Sequence, residues 1–245
     1  MTTDSRNAVE IQRKYYADTA AQYEEMHGTE GSADPLHMDF VIAMLRMLRV
    51  QTVLDVGTAS GRTLRTFKTA LPDLFACGIE PVGALLDQAV VRGIFESGSL
   101  IQGRGDALPF ADASFEAVCE FAILHHVADP RIVVAEMLRV AKKAIIISDS
   151  NRFGQGPMFL RVVKLILWKL RLWGAFNYVR TSGKGYQITE GDGLSYSYSV
   201  YDSFDQIAQW ADRVFVISTD KNKPSTWLHP LLTSGGMILC AIREH

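Results

Sequence analysis

QTVLDVGTASGR, residues 51–62, is the stretch on which the reading of the chain depends. Val53, Leu54 and Val56 form an apolar run, a Gly-x-x-x-Gly turn closes it, and a helix-compatible segment from Arg62 to Ala70 follows at once. This order predicts strand, tight turn and helix. Gly57 and Gly61 let the backbone bend sharply and come close to a ligand, and the helix that begins near Ser60 turns unpaired N–H groups into the same space. Asp55, at the carboxyl end of the strand, adds a fixed acceptor. Such a turn suits a ligand of nucleotide type.

Two registers of this loop can be compared. The dinucleotide fingerprint G-x-G-x-x-G/A puts Arg62 where a small residue must let the helix pack on the strand, so a nicotinamide-dependent oxidoreductase fits poorly. The register acid-x-Gly-x-x-x-Gly, from Asp55 through Val56, Gly57, Thr58, Ala59 and Ser60 to Gly61, resembles the first motif of class I methyltransferases that use S-adenosylmethionine. More narrowly, it is similar to their small-molecule, type 11-like group. That family usually carries a central third glycine, and this chain has Ala59 there.

Downstream segments extend the resemblance. Glu80-Pro81 closes the next apolar run 23 positions after Gly57, where a carboxylate can accept both hydroxyls of a ribose. GRGDALPFADASFEAV, residues 103–118, resembles the family segment G-D-A-x-x-L-P-F-x-x-x-x-F-D, with one spacer missing after Ala107 and Glu116 in place of the final Asp. The resemblance implies that Asp106 meets the adenine amino group with Ala107 beside it. EFAILHHVADP, residues 120–130, carries the family's L-H-H, with Asp129 placed as a helix N-cap and Pro130 in the first turn. His125 and His126 are the candidates for a catalytic role. They either fasten this loop or take a proton from the acceptor, and the fastening role is the expectation. No metal is expected, because adjacent histidines lack helical ligand spacing and no Cys or carboxylate cluster joins them in the sequence. Around the cofactor the resemblance therefore places Asp55, Gly57, Thr58, Ala59, Gly61, Glu80, Pro81, Asp106, Ala107, Glu120 and Phe121. In YYADTAAQYEEMHG, residues 15–28, it adds Tyr23 over the cofactor, with Tyr15 and Tyr16 near the acceptor.

Composition agrees with one α/β domain. The chain has 245 residues, 48% hydrophobic and 21% charged, with a formal charge of −2 that supplies no general attraction for nucleic acid. Cys77, Cys119 and Cys240 lack C-x-x-C spacing and sit in apolar runs, which predicts buried thiols in a reducing compartment. MTTDSRNAV has no apolar stretch and no uncharged apolar run reaches membrane-spanning length, so a cytoplasmic location is expected.

In order, residues 8–26 and Met38 to Leu48 read as helices, with Gly28, Gly31 and Pro35 marking the break between them. Strands are expected at Leu74–Ile79, Leu100–Gln102, Phe115–Phe121, Ala144–Ser148, Val214–Ser218 and Met237–Ile242, and helices at Gly83–Val91, Arg131–Val140 and Ser203–Ala211. Together with the first strand these give a Rossmann-like, seven-stranded, mostly parallel sheet with helices on both faces, its last two strands antiparallel. The expected plan is an N-terminal helical cap (1–50), a cofactor-binding core (51–150), an inserted lid (151–202) and the end of the core (203–245).

The insertion carries MFLRVVKLILWKLRLW, Met158 to Trp173, with four basic residues and no acid. On a helix Arg161, Lys164 and Arg171 cluster with Lys169 on one half, and Phe159, Leu160, Val162, Val163, Ile166, Leu167, Leu170 and Trp173 make the other half wholly apolar. The expectation is a lid that buries its apolar half on the domain and keeps its basic groups in water. A weak membrane-surface contact and a homodimer interface are the alternatives. KGYQITEGDGLSYSYSVYDSF, residues 184–204, places Tyr196, Tyr198 and Tyr201 either along an acceptor pocket or on an edge strand. The function implied by the resemblance is methyl transfer from S-adenosylmethionine, leaving S-adenosylhomocysteine, to an oxygen, nitrogen or carbon of a small-molecule or lipid-like acceptor. A cofactor-binding adaptor without activity, at a membrane or protein partner, is the non-enzymatic alternative.

Overall fold

The computed structural model describes residues 3–28, 35–93, 98–189, 191–221 and 227–244. Gly31 and Glu190 lie outside them. Three helices come first: α1 (Thr3–Thr19), α2 (Tyr23–Gly28) and α3 (Pro35–Met47). Then β1 (Thr52–Val56), α4 (Arg62–Ala70), β2 (Phe75–Glu80), α5 (Gly83–Val91), β3 (Leu100–Gln102), β4 (Phe115–Phe121), α6 (Pro130–Val140) and β5 (Ala141–Ser150) alternate. The insertion holds α7 (Met158–Lys169), α8 (Trp173–Arg180), β6 (Tyr186–Thr189) and β7 (Gly193–Tyr196), and α9 (Phe204–Trp210), β8 (Arg213–Ser218) and β9 (Gly236–Ile242) end the fold.

The sheet runs β3-β2-β1-β4-β5-β9-β8. β1 to β5 pair in parallel, and β9 lies antiparallel to both β5 and β8, as the sequence predicts. The central strands are apolar on both faces because both are covered. Leu54, Val56, Val118, Ile145 and Ile147 pack with Val133, Val134 and Met137 of α6, and the alternate residues Val53, Ala117, Cys119 and Ile146 pack with Val41 and Leu45 of α3 and Phe67 of α4. Strand order reverses between β1 and β4, so a crevice opens outside their carboxyl ends. The three cysteines are free and buried.

Two expectations about helices fail. The helix read at residues 8–26 is interrupted by a 3-10 turn, Ala20–Gln22, and the helix read at 158–173 ends at Lys169, with Arg171 left-handed (φ 59°) before α8 starts at Trp173.

The larger correction concerns which way α7 faces. Arg161 donates to the carbonyls of Gly156 (2.6 Å) and Leu232 (2.8 Å), Lys164 to those of Arg152 (3.0 Å) and Gln155 (2.9 Å), and the Trp168 indole to Asp202 Oδ1 (2.9 Å). The apolar half points outward: Phe159 is 67% exposed, Ile166 51% and Leu170 62%. The carbonyls that end the turn after β5 need donors, and the basic ridge supplies them. Satisfying those acceptors accounts for the orientation of a helix whose outermost apolar side chains, Phe159, Val162, Ile166 and Leu170, stay exposed among the described residues.

Candidate active site

The loop after β1 folds over the end of β2, where Gly57 N and Thr58 N both donate to Ile79 O (2.8 and 3.1 Å). Gly57 has φ +76°, and a Cβ there would stand 2.4 Å from Ile123 Cγ2, so a side chain is excluded by conformation and by space. Ala59 is also left-handed, at φ 47°, which costs an L-residue roughly 1–2 kcal/mol. This conformation explains why a glycine is at home in that position.

Glu80 is held from both sides. Oε2 accepts from Ala59 N (3.2 Å) and Oε1 from Val82 N (2.9 Å), which fixes the carboxyl plane at the edge of a cavity of about 720 Å³. Burial pushes its pKa up to about 7 against the pull of those two amides. Gly57, Ala59, Pro81, Asp106, Phe121, Tyr16 and Tyr23 line the same cavity. Glu24 ties α2 over the loop by gripping Ser60 Oγ and the Arg65 guanidinium (3.2 Å). Arg104 also lines the cavity and forks onto Asp106, with Nε 2.7 Å from Oδ1.

Several other residues expected around the cofactor also hold the scaffold. Asp55 is buried within the sheet, its Oδ1 3.8 Å from the Cys119 thiol, and burial pushes its carboxyl up to about 7. Thr58 is buried against Gly78, where an added Cβ would meet its side chain at 2.6 Å. Glu120 is wholly buried and caps Ile123 N (3.0 Å), and burial, then the Asp149 charge, raises its pKa well above the ordinary range. Gly61 (φ 73°) caps the start of α4, and Ala107 bridges back to Arg104. Asp129 accepts from Arg131 N and caps α6 with Pro130 in the first turn, as predicted.

His125 and His126 form a 3-10 turn with Leu124 after β4. Asp149, near the end of β5, holds this turn: Oδ2 accepts from Leu124 N (2.8 Å) and His125 N (3.2 Å), and Oδ1 lies 2.7 Å from His125 Nδ1. The hairpin between β6 and β7 brings Asp192 to the other side of both rings, 3.3 Å from His125 Nε2 and 3.4 Å from His126 Nε2. Burial works against a charge on His125, yet Asp149 and then Asp192 outweigh it and push its pKa up to about 10. Asp192 is held well below the ordinary carboxylate range, because the two histidines overcome its partial burial. His126 Nδ1 lies 2.7 Å from Leu194 O, and since a carbonyl only accepts, this nitrogen carries the hydrogen. The Tyr16 hydroxyl lies 3.0 Å from the other ring nitrogen, Nε2. The reason for excluding a metal in the sequence does not survive in space, where Asp149 and Asp192 both join the histidines.

A second cavity, about 970 Å³, opens beyond this turn. Arg152, Lys164, Arg180, Tyr186, Tyr196 and Tyr198 line it, and His37, Ala122, Ser148 and Asp192 border both cavities. Tyr16 belongs to the first cavity, with Tyr15 edge-on behind it at 5.3 Å. Tyr201 packs with Phe153 and Phe204 as part of the core rather than the pocket.

Comparison with known proteins agrees with this geometry: residues 54–147 match the family described as a methyltransferase domain. Over those residues the chain is similar to methyltransferase domains, and its fold is that of class I methyltransferases. A methyltransferase of Mycolicibacterium gilvum is 37% identical over 91 residues, covering 37% of this chain and 35% of its own. The demethylmenaquinone methyltransferase of Thermotoga maritima is 30% identical over 103 residues, covering 42% and 44%. The chain thus spans less than half the length of these curated relatives. Among solved structures, magnesium protoporphyrin IX methyltransferase from Synechocystis PCC 6803 superposes with a TM-score of 0.58 at 14% identity, covering 96% of this chain and 99% of its own. A SAM-dependent methyltransferase of Thermotoga maritima gives 0.56 at 16% identity, covering 95% and 100%.

Within this site the sequence reading missed Arg104, Asp149 and Asp192. Asp149 stands at a strand's carboxyl end, the rule that found Glu80, and could have been found by it. Asp192 sits in a Gly-Asp-Gly turn whose place beside the histidines nothing local reveals.

Proposed function

We propose that this chain transfers a methyl group from S-adenosylmethionine to a small-molecule acceptor bound in the 970 Å³ cavity. The observation that carries the reading is the Glu80 carboxylate, pinned by Ala59 N and Val82 N at the edge of the 720 Å³ cavity beneath the bare Gly57 backbone. The fit is chemical: a fixed buried carboxylate suits a ribose diol, Gly57 admits close approach, and the volume lies within the roughly 300–1,000 Å³ of small-molecule sites. Glu80 would hold the ribose, the Asp106–Arg104 pair would face the adenine edge, and Tyr16 and Tyr23 would close the cavity from α1 and α2. When bound, S-adenosylmethionine supplies a methyl group on positively charged sulfur, and an acceptor lone pair takes it as the carbon–sulfur bonding pair returns to sulfur, leaving S-adenosylhomocysteine. The protein's task is then to hold the acceptor in line and exclude water. Neither histidine is assigned as a base in this arrangement, since His125 lies between the carboxylates of Asp149 and Asp192 and His126 between Leu194 O and the Tyr16 hydroxyl. Calorimetry tests the reading: S-adenosylmethionine and S-adenosylhomocysteine should bind one per chain and compete, and NAD should not bind. NAD binding, or no binding of either sulfur compound, overturns it.

A second observation bears on the acceptor. From Gly156 to Thr189 the chain has six basic residues and no acid, and the outward face of α7 and α8 exposes Phe159, Val162, Ile166, Leu170, Phe176 and Val179. Basic and apolar groups together suit an anionic membrane surface better than a second copy of this net-acidic chain. Among the described residues no helix is long and apolar enough to cross a membrane, so the contact would lie in the interface. We read the acceptor as lipid-like, entering the second cavity past Leu160, Val163 and Leu167 of α7, with Lys164 and Arg180 available to a polar or anionic end. The relatives named for demethylmenaquinone and magnesium protoporphyrin IX support an acceptor with a large apolar body. Sedimentation with vesicles containing about a third anionic lipid should recover most of the protein at low salt and little at high salt. No binding at low salt overturns the membrane assignment and leaves the first reading standing.

A further inference from the structure

We propose that His125, His126 and Asp192 bind one divalent first-row transition ion at the junction of the two cavities. One ligand atom from each of the three residues lies within 4.8 Å of the other two, and the Nε2 atoms of His125 and His126 face Asp192 Oδ2 and Oδ1 respectively. The histidine-to-carboxylate separations, 3.3 and 3.4 Å, are close to the roughly 3 Å between neighbouring ligands that bonds of about 2.1 Å to one ion impose.

What lies behind the three groups argues more strongly than their proximity. Metal-binding imidazoles characteristically give their other ring nitrogen to a carboxylate or a backbone carbonyl, which fixes the tautomer and aims the free nitrogen. Both histidines do this. His125 Nδ1 meets Asp149 Oδ1 at 2.7 Å, and Asp149 is itself fixed by Leu124 N and by Ser150 N (2.5 Å). His126 Nδ1 meets Leu194 O at 2.7 Å, and Gln12 fixes that strand by accepting from Leu194 N (2.5 Å) and donating to Asp192 O (3.4 Å). The two Nε2 atoms are thereby aimed at one carboxylate by supports from α1, β5 and β7, and an ion would take the place of the Tyr16 hydroxyl that lies 3.0 Å from His126 Nε2.

The donor set narrows the ion. Two imidazoles and one carboxylate, with no thiolate, suit Fe²⁺, Mn²⁺, Co²⁺ or Zn²⁺ rather than Cu⁺, Mg²⁺ or Ca²⁺. Three protein ligands leave coordination positions open, which is the mark of a working site rather than a structural one. The location gives those positions a use: His125 lines the larger cavity, His126 the smaller, and Asp192 both. An ion here would bind an acceptor through oxygen and make a hydroxyl more acidic, which selects phenols, enols or hydroxy acids over amines. That acceptor preference rests on the methyl-transfer reading above, and the binding of the ion does not. The competing arrangement is a salt-bridged cluster in which a proton occupies the ion's place between His125 and Asp192.

The experiment uses the full chain, stripped with chelator and titrated with Co²⁺ in the absence of cofactor and acceptor, read by its visible d–d absorption. One equivalent should bind. Asp192→Asn and His126→Ala should each weaken binding by about a hundredfold, and Asp149→Asn, which only supports His125, by about tenfold. Thermal unfolding followed by circular dichroism on each metal-free variant shows that its fold is intact, and S-adenosylmethionine affinity of the metal-free, unsubstituted chain tests the cofactor site separately. Absence of saturable one-equivalent binding up to millimolar Co²⁺, or affinity unchanged in folded Asp192→Asn, overturns the proposal.

Discussion

Two segments leave the same rim of the sheet and treat their surroundings in opposite ways. After β1, the loop to α4 hangs its amides on Ile79 O and Glu80, and α4 buries Leu64 and Phe67. After β5, α7 turns Arg161 and Lys164 inward onto carbonyls, and none of its side chains is buried. Both helices are amphipathic. The difference teaches that an apolar stripe shows a helix has two faces, whereas nearby unpaired acceptors can decide which face the protein keeps. The first segment closes on itself. The second leaves an apolar surface for something else.

The largest effect should come from the outward side of the second segment. Changing Lys169, Arg171 and Lys184, all exposed, to Gln should cost about 3 kcal/mol of affinity for anionic vesicles, at about 1 kcal/mol per charge. The pair Arg161→Gln and Lys164→Gln should barely change vesicle affinity but should lower the unfolding midpoint. If the inward pair carried the membrane affinity, the orientation given to α7 would be wrong.

In the first segment, Gly57→Ala should lower unfolding free energy by about 2–3 kcal/mol, from a left-handed φ and from the contact with Ile123. Denaturant titration showing no loss would mean that the loop is built differently. The reverse change one turn on, Ala59→Gly, should raise stability by about 1 kcal/mol by relieving the left-handed alanine. A loss of stability there would show that the Ala59 methyl makes a contact worth more than the strain. Smallest, Asp129→Ala should cost about 1 kcal/mol through the lost cap of α6, read in the same titration.

The same contrast explains what could be read without coordinates. From Val53 to Ser150 the chain builds structure from local signals: strand runs, glycine turns, and Asp129 before Pro130. The place of Glu80 at the edge of the cavity was legible because it stands at the carboxyl end of a strand. Asp55 and Glu120 obey the same positional rule and yet lie buried under the rim, because they stand deeper along the strands: Asp55 pairs with Gly78, two residues short of Glu80, and Glu120 pairs with Val56, which is level with Ile79, one residue short of it. The histidine cluster was half legible. L-H-H marks the turn, but Asp192 reaches it only because Gln12 on α1 pins the hairpin, and no local pattern encodes that meeting. The facing of α7 was illegible for the same reason: its deciding carbonyls include Leu232, far along the chain.

The central claim is that Glu80 holds the ribose of S-adenosylmethionine in the cavity under the first loop, and pH gives it a sign. Burial raises the Glu80 pKa to about 7 in the empty site, and the carboxylate is the form that accepts two hydroxyls, so lowering the pH protonates it and opposes binding. Calorimetric titration of S-adenosylmethionine from pH 5.5 to 8.5 should show full affinity above about pH 7.5 and a fall approaching tenfold per pH unit below about 6.5. Glu80→Gln should remove most of that dependence and weaken binding at pH 8 by about 2 kcal/mol. A folded Glu80→Gln variant with unchanged affinity and the same pH profile would contradict the account.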